Sequence, residues 1–221
     1  MAMLEWLLRG LRQQASADAW LDEVLAAAQN GSRAELLRLY TAASRCLGET
    51  PFIPDAAVPV PDDAGDYVFD VWSREDAGRL ALLLARHGAG RHAPTFSEDA
   101  EACYYDGDAR EQRSWLRGAG LLPDPSQYLP LAIDACRTNI LPLFEAVACE
   151  NPYPSRHFPE RNLNQLVLKA LFNGVALVRI VGLETRANAE LTRMATDYAA
   201  ERAAAGRSIP ADISLAQTVS S

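Results

Sequence analysis

"ENPYPSRHFPERNLNQLVLKALFNG" occupies residues 150–174, and its second half decides the fold. Leu163, Leu166, Val167, Leu168, Leu171 and Phe172, followed by Val175, Leu177 and Val178, go almost all round a helical wheel. That is the pattern of a helix buried on nearly every side, and it predicts a helix over about residues 162–181. The first half reads as a rigid entry. Pro152, Pro154 and Pro159 stiffen it, Tyr153 and Phe158 pin it to the core, and Arg156 and His157 are placed to bond main-chain carbonyls.

The polar exceptions on this helix form a line. Gln165, Lys169 and Asn173 stand four apart with Asn162 at the start, so they share one face. Two readings stand side by side: a narrow solvent-facing stripe, or a seam facing a cleft or a partner, in which Lys169 could hold an anion. Gly174 beside the seam would admit a close approach of backbone or ligand. On the preceding segment Asp134, Arg137, Thr138 and Asn139 are polar, and Pro142 deprives the Thr138 carbonyl of its usual helical donor. If these groups face Lys169, the two segments share a hydrogen-bond network.

Outward from this stretch the chain repeats short helical patterns. Met3, Leu4, Leu7, Leu8 and Leu11 make an amphipathic first helix; Glu5 and Arg9 interrupt the run, so it is not read as an export signal. A second helix covers residues 16–29, with Asn30-Gly31 as a left-handed cap. A third starts at Ser32 with Glu35 as a capping box, and its apolar face is Leu36, Leu37, Tyr40, Ala43 and Leu47. Four prolines between 49 and 72 exclude helix there. Long connections of this kind are either functional or poorly ordered. "DYVFDVW", residues 66–72, is the best strand candidate and alternates only briefly.

Helix resumes at Ser73 with Leu80, Leu83 and Leu84 inward. Thr95 and Glu98 suggest another capping box, and Trp115, Leu116 and Leu121 another core face. Residues 126–149 form a long pattern that Pro142 should kink or split. The last long helix spans residues 188–205, with Leu191, Met194, Ala195 and Tyr198 inside, Gly206 as its cap and a frayed tail beyond.

The expectation is an all-α protein of helical hairpins, packed as an irregular α-superhelix of the HEAT or tetratricopeptide kind or as a bundle. Its segments are residues 1–48, the proline-rich connection 49–72, a main helical domain 73–206 and a tail 207–221. Composition agrees. Of 221 residues 49% are hydrophobic, alanine and leucine dominate, and β-branched residues are sparse. The net charge of −8 argues against nucleic acid and anionic membranes as partners. The longest uncharged apolar run is too short to span a bilayer. The four cysteines form no C-x-x-C pair and read as reduced, mostly buried thiols.

Chemistry-bearing motifs are few. Asp62, Asp63 and Asp66 spell D-D-x-x-D, the spacing with which isoprenoid synthases hold magnesium. Here the motif lies in a proline-rich loop and no second acidic motif completes it, so an aspartate-rich turn is the simpler meaning. His157 and Glu160 are three apart but separated by Pro159, with no third ligand. There is no P-loop, dinucleotide fingerprint, G-x-S-x-G or H-E-x-x-H, so no catalytic residue, cofactor or metal is expected.

"CRTNILPLFEA" (136–146), "NPYPSRHFPE" (151–160), "NQLVLKALFNGV" (164–175), "RIVGLETRANAEL" (179–191) and "DYAAERAAAGRSIPADI" (197–213) together resemble the EboA family of metabolite traffic proteins. The likeness covers residues 121–213; residues 32–48 are compatible with it, and residues 49–110 contribute little. The resemblance implies a bacterial, cytoplasmic protein encoded with companion proteins, among them a UbiA-like prenyltransferase that gives an indirect membrane link. The set moves or exports secondary-metabolite precursors. The family supplies no catalytic residues. The resulting expectation is a non-catalytic module that binds companion proteins or a small-molecule metabolite, through Arg156, His157, Glu160, Asn164, Gln165, Lys169 and Asn173. The alternatives are a magnesium-dependent enzyme on isoprenoid or phosphorylated molecules and a purely structural subunit.

Overall fold

The computed structural model describes residues 2–13, 18–88, 90 and 93–217. The fold is all-α, helix packed on helix, with no strand among the described residues. The chain forms two compact units, residues 1–125 and residues 126–221.

Unit 1 contains α1 (Ala2–Arg12), α2 (Asp18–Asn30), α3 (Arg33–Cys46), α4 (Arg74–Gly88), α5 (Ala93–Tyr105) and α6 (Ala109–Gly118). α4 is its axis and packs on all five of the others. Ala77, Leu80, Ala81, Leu82, Leu83 and Ala85 are all buried, each buried leucine contributing about 1.5–3 kcal/mol; Leu84, expected inward, is half-buried. Gly78 lets α3 approach closely, because a Cβ there would lie 2.1 Å from Leu47 Cδ1.

The burial of α4 extends to its charged residues. Glu75 and Asp76 are 0% exposed and Arg79 is 1% exposed, which is tolerable only because each is paired. Glu75 accepts from Arg110 at 2.8 and 3.2 Å and from Arg113 at 3.0 Å, and stands 3.5 Å from Arg79. Asp76 closes the start of α4 by accepting from the backbone N–H and the hydroxyl of Ser73, and it also accepts from Ser114 and Arg117. Arg79 donates to the Tyr40 carbonyl and to Ser114.

Burial pushes the Asp76 carboxyl up, but Arg117, the Ser114 and Ser73 hydrogen bonds and Arg113 outweigh it and leave it below the usual 3.8. The unfolded chain therefore takes up this proton first as pH falls. The stability that Asp76 contributes is complete above the unfolded value of about 3.9 and is lost as pH falls through the folded value. Asp76→Asn is accordingly expected to flatten the acid limb of a denaturation profile recorded from about pH 5 to pH 2.

Several local expectations are corrected. Gly31 is not left-handed. The carbonyls at the end of α2 are capped instead by buried Arg86, which donates to Ala28 at 3.2 Å and Gly31 at 2.6 Å while pairing with Asp99. Ser32 does cap α3, accepting from Glu35 N–H, but Leu39 is buried where Leu37 is only half-buried. The proposed start of α2 at Ser16 lies outside the described residues. α5 begins at Ala93, so Thr95 sits inside the helix; proline is tolerated at the second position because that N–H has no intrahelical acceptor. The complete capping box belongs to Asp108 and Glu111 before α6.

The proline-rich connection is neither strand nor loose. Its ends are joined by Phe52 N–H to the Trp72 carbonyl at 2.8 Å and Arg74 N–H to the Thr50 carbonyl at 2.9 Å. Residues 69–71 form a single 3-10 turn. Buried Phe52, Tyr67, Phe69 and Trp72 pin the segment to α1, with Trp6 4.6 Å from Phe69 and 5.6 Å from Phe52 between ring centres.

Unit 2 contains α7 (Leu129–Ala135), α8 (Leu141–Ala148), α9 (Tyr153–His157), α10 (Glu160–Asn173), α11 (Leu183–Arg186) and α12 (Ala189–Ala204). α10 is covered by α8 and α12. The expected helix over 162–181 stops eight residues early, because Gly174 adopts φ +71° and ends α10 with a left-handed cap. Nothing lies within 4 Å of a Cβ built there, so the glycine serves backbone geometry and not close approach. Phe172, read as core, is 66% exposed and meets Tyr198 edge-on at 4.9 Å. The tail is not frayed as far as Gln217: Ile213 and Ala216 are buried in a 3-10 turn packed on α12, and Asp212 accepts from Leu177 N–H. Residues 218–221 lie outside the described chain.

Candidate functional site

The candidate site of unit 2 is built on a helix break. α7 ends at Ala135 and α8 begins at Leu141 with Pro142 in its first turn. Helical continuation would have given the Thr138 carbonyl the N–H of residue 142, and Pro142 has none. The Cys136 carbonyl would have taken Ile140 N–H, but that N–H donates to Thr138 Oγ1 at 3.1 Å. Two carbonyls are thus left without main-chain donors, and a polar group kept from water without a partner is costly. Lys169 supplies both: its Nζ donates to Cys136 at 2.7 Å and Thr138 at 2.6 Å. The ammonium also lies 5.3 Å from the centre of the Phe144 ring, a favourable cation–π arrangement.

Beside this lysine is a cleft of about 120 Å³. Ile133, Phe158 and Leu166 give it apolar walls; Lys169, Gln165, Asn162 and Arg137 give it polar groups. Lys169 has three protons and commits two to carbonyls, so it offers fixed positive charge and one further donor. Cys136 also borders the cleft, where burial pushes its thiol up to about 12 against the opposing pull of Lys169. It is a protonated, inert thiol at neutral pH. Cys149 is likewise pushed up to about 12 by burial.

The structure brings Gln165 and Lys169 together at the cleft, joined by Asn162. It sends the other candidate residues elsewhere. Asn164 is buried on another face of α10 and exchanges amide hydrogen bonds with Asn188 at 3.1 and 3.0 Å; Asn188 in turn caps α12 through Leu191 N–H. Arg156, Glu160 and Asn173 are exposed and do not line the cleft. His157 lies against Tyr153, ring centres 4.6 Å apart; burial first, then Arg156, lowers its pKa below 6.5. The carbonyls of Ser155 and Phe158 are taken by Arg186. Asp134 pairs with Arg137 at 3.1 Å on the exposed surface; of the polar segment before Pro142, Arg137 lines the cleft beside Lys169, and the hydrogen bonds of Lys169 go to the Thr138 and Cys136 main chain.

Asp62 opens a 3-10 turn and Asp66 is exposed; the Asp63 side chain lies outside the described residues. Among the described residues no three His, Cys, Asp or Glu side chains come together as metal ligands. The sequence reading missed a different set: Arg110, Arg113 and Arg117 on α6, which face the buried Glu75 and Asp76. The signal was available as S-x-x-D at Ser73–Asp76 before an apolar run, together with arginines three and four apart on the next amphipathic helix.

Fold and site together define an all-α protein with a cation-floored cleft in its second unit. No helix among the described residues is long and apolar enough to cross a membrane. The family model described as "Metabolite traffic protein EboA" matches residues 1–217, and the chain belongs to that family. The match extends the likeness read over 121–213 to the proline-rich connection and the whole of unit 1. No curated protein and no solved structure matches the chain.

Proposed function

We propose that the protein is a non-catalytic binding module of a metabolite traffic system, which uses the Lys169 cleft to engage a companion protein. The cleft's size carries the reading. Sites that engulf a small molecule are typically about 300–1,000 Å³, whereas this one is about 120 Å³. That volume suits one inserted side chain, whose remaining surface would lie on the exposed polar face around Gln165. The chemistry fits an apolar group carrying a hydrogen-bond acceptor, since Ile133, Phe158 and Leu166 surround the donors of Lys169, Asn162 and Gln165. The family's description supports a role in metabolite traffic. A metabolite head group is the second reading, supported by the same cation and the same walls.

The test is affinity capture of the tagged protein from its native cells, wild type against Gln165→Trp. Gln165 is exposed, so the indole fills the cleft mouth and leaves the Lys169 bonds intact; an unchanged melting temperature checks this. The expected result is near-stoichiometric recovery of a protein encoded beside this one, reduced at least about tenfold by the substitution. Equal recovery by both forms would remove the cleft from the interaction.

A further inference from the structure

We propose that a second site, in unit 1, binds a small oxyanion, a carboxylate or a phosphate group, between Arg113 and Arg117. The two arginines line a cavity of about 290 Å³ beside Trp72 and Ser73. Its basis is a surplus of donors over acceptors. Each guanidinium carries five N–H bonds. Arg110 spends its Nε and one amino group on Glu75, and Arg79 is occupied by the carbonyls of Tyr40 and Arg110 and by Ser114. Arg113 makes one hydrogen bond, to Glu75 at 3.0 Å. Its buried Nε has no hydrogen-bond partner, and Asp76 is 4.0 Å away. Arg117 makes one, to Asp76 at 2.5 Å. The Arg113 Nε has no accessible surface and faces Asp76, so the cavity offers the uncommitted terminal N–H groups of the two arginines, whose planar forks match the two oxygens of a carboxylate or phosphate.

The site is built, not incidental. Glu75 and Asp76 are fully buried behind the two arginines and hold them in place, so an anion meets donors already oriented. The cavity also carries Glu49 and Asp70. Glu49 lies 3.6 Å from Arg113 and is 56% exposed, close enough to compete with an incoming anion. Two carboxylates on the wall oppose a polyanion, which limits the ligand to a single oxyanion group.

The experiment is thermal denaturation of the full chain in acetate or inorganic phosphate against chloride at matched ionic strength. A ligand of the native state raises the midpoint with its concentration. One of the two oxyanions is expected to do so, and which one assigns the ligand as a carboxylate or a phosphate. Arg117→Gln should abolish the shift. Because that change also loosens Asp76, the deciding variant is Glu49→Gln, which removes an exposed competing charge and should tighten binding about threefold or more; damage to the fold cannot produce a gain. No shift with either anion, or the same shift in wild type, Arg117→Gln and Glu49→Gln, would overturn the proposal and leave an adventitious ion only.

Discussion

Glu75→Ala is expected to cost unit 1 about 3–5 kcal/mol, the scale for removing one partner of a buried ion pair. The loss does not come from missing attraction alone. Arg79, 1% exposed, cannot swing out to water, and it keeps only the Tyr40 and Arg110 carbonyls and Ser114 as acceptors. Arg110 and Arg113 lose their common partner at the same time. Arg110 is 43% exposed and can recover hydration, which places the penalty chiefly on Arg79 and Arg113. Glu75→Gln, which keeps an acceptor and removes the charge, should cost less. Urea denaturation gives both values; a Glu75→Ala loss under about 1 kcal/mol, the range of surface pairs, would show that these charges are hydrated in solution.

The second large effect falls on unit 2. Lys169→Met keeps the length and apolar character of the stem and removes the ammonium, so the Cys136 and Thr138 carbonyls lose their side-chain donor. Hydrogen bonds to charged groups are worth about 1.5–3 kcal/mol each. The break between α7 and α8 is partly open to water, so a total of about 2–3 kcal/mol is expected instead of the full sum. Lys169→Arg retains donors and should recover part of it. Hydrogen exchange at residues 138–144 should rise in Lys169→Met before the rest of the unit is affected. Unchanged protection there would mean that the lysine is a surface group and the break holds itself.

The all-α class was legible because the apolar spacing of α1, α3, α4 and α12 obeys a helical period, and caps at Ser32 and Gly206 were written in the local sequence, whereas Gly174, through which the helix was expected to run, ends it. Lys169 stood out for a physical reason as well: a lone lysine in an apolar helix must find acceptors, and Pro142 had already created one at Thr138. What was not legible depended on distant residues. Arg86 caps α2 across 58 and 55 residues, which displaced the glycine cap expected at Gly31. Arg186 reaches back across 31 and 28 residues to the Ser155 and Phe158 carbonyls. Nothing local marks the charges of α4 as interior; only the arrival of α6 makes them so. Within the candidate set, local pattern put Gln165 and Lys169 on one face, but could not show that Asn164 turns away to Asn188.

The most direct test of the Lys169 cleft as a contact point is site-specific photocrosslinking in native cells, with a photoreactive phenylalanine at position 165 and, as a control, at exposed Glu201 of α12. The account predicts one discrete protein adduct from position 165, none from position 201, and its loss when Asn162→Trp closes the cleft from the other side. Adducts of equal strength at both positions, or none at 165 under conditions where the companion protein co-purifies, would contradict it.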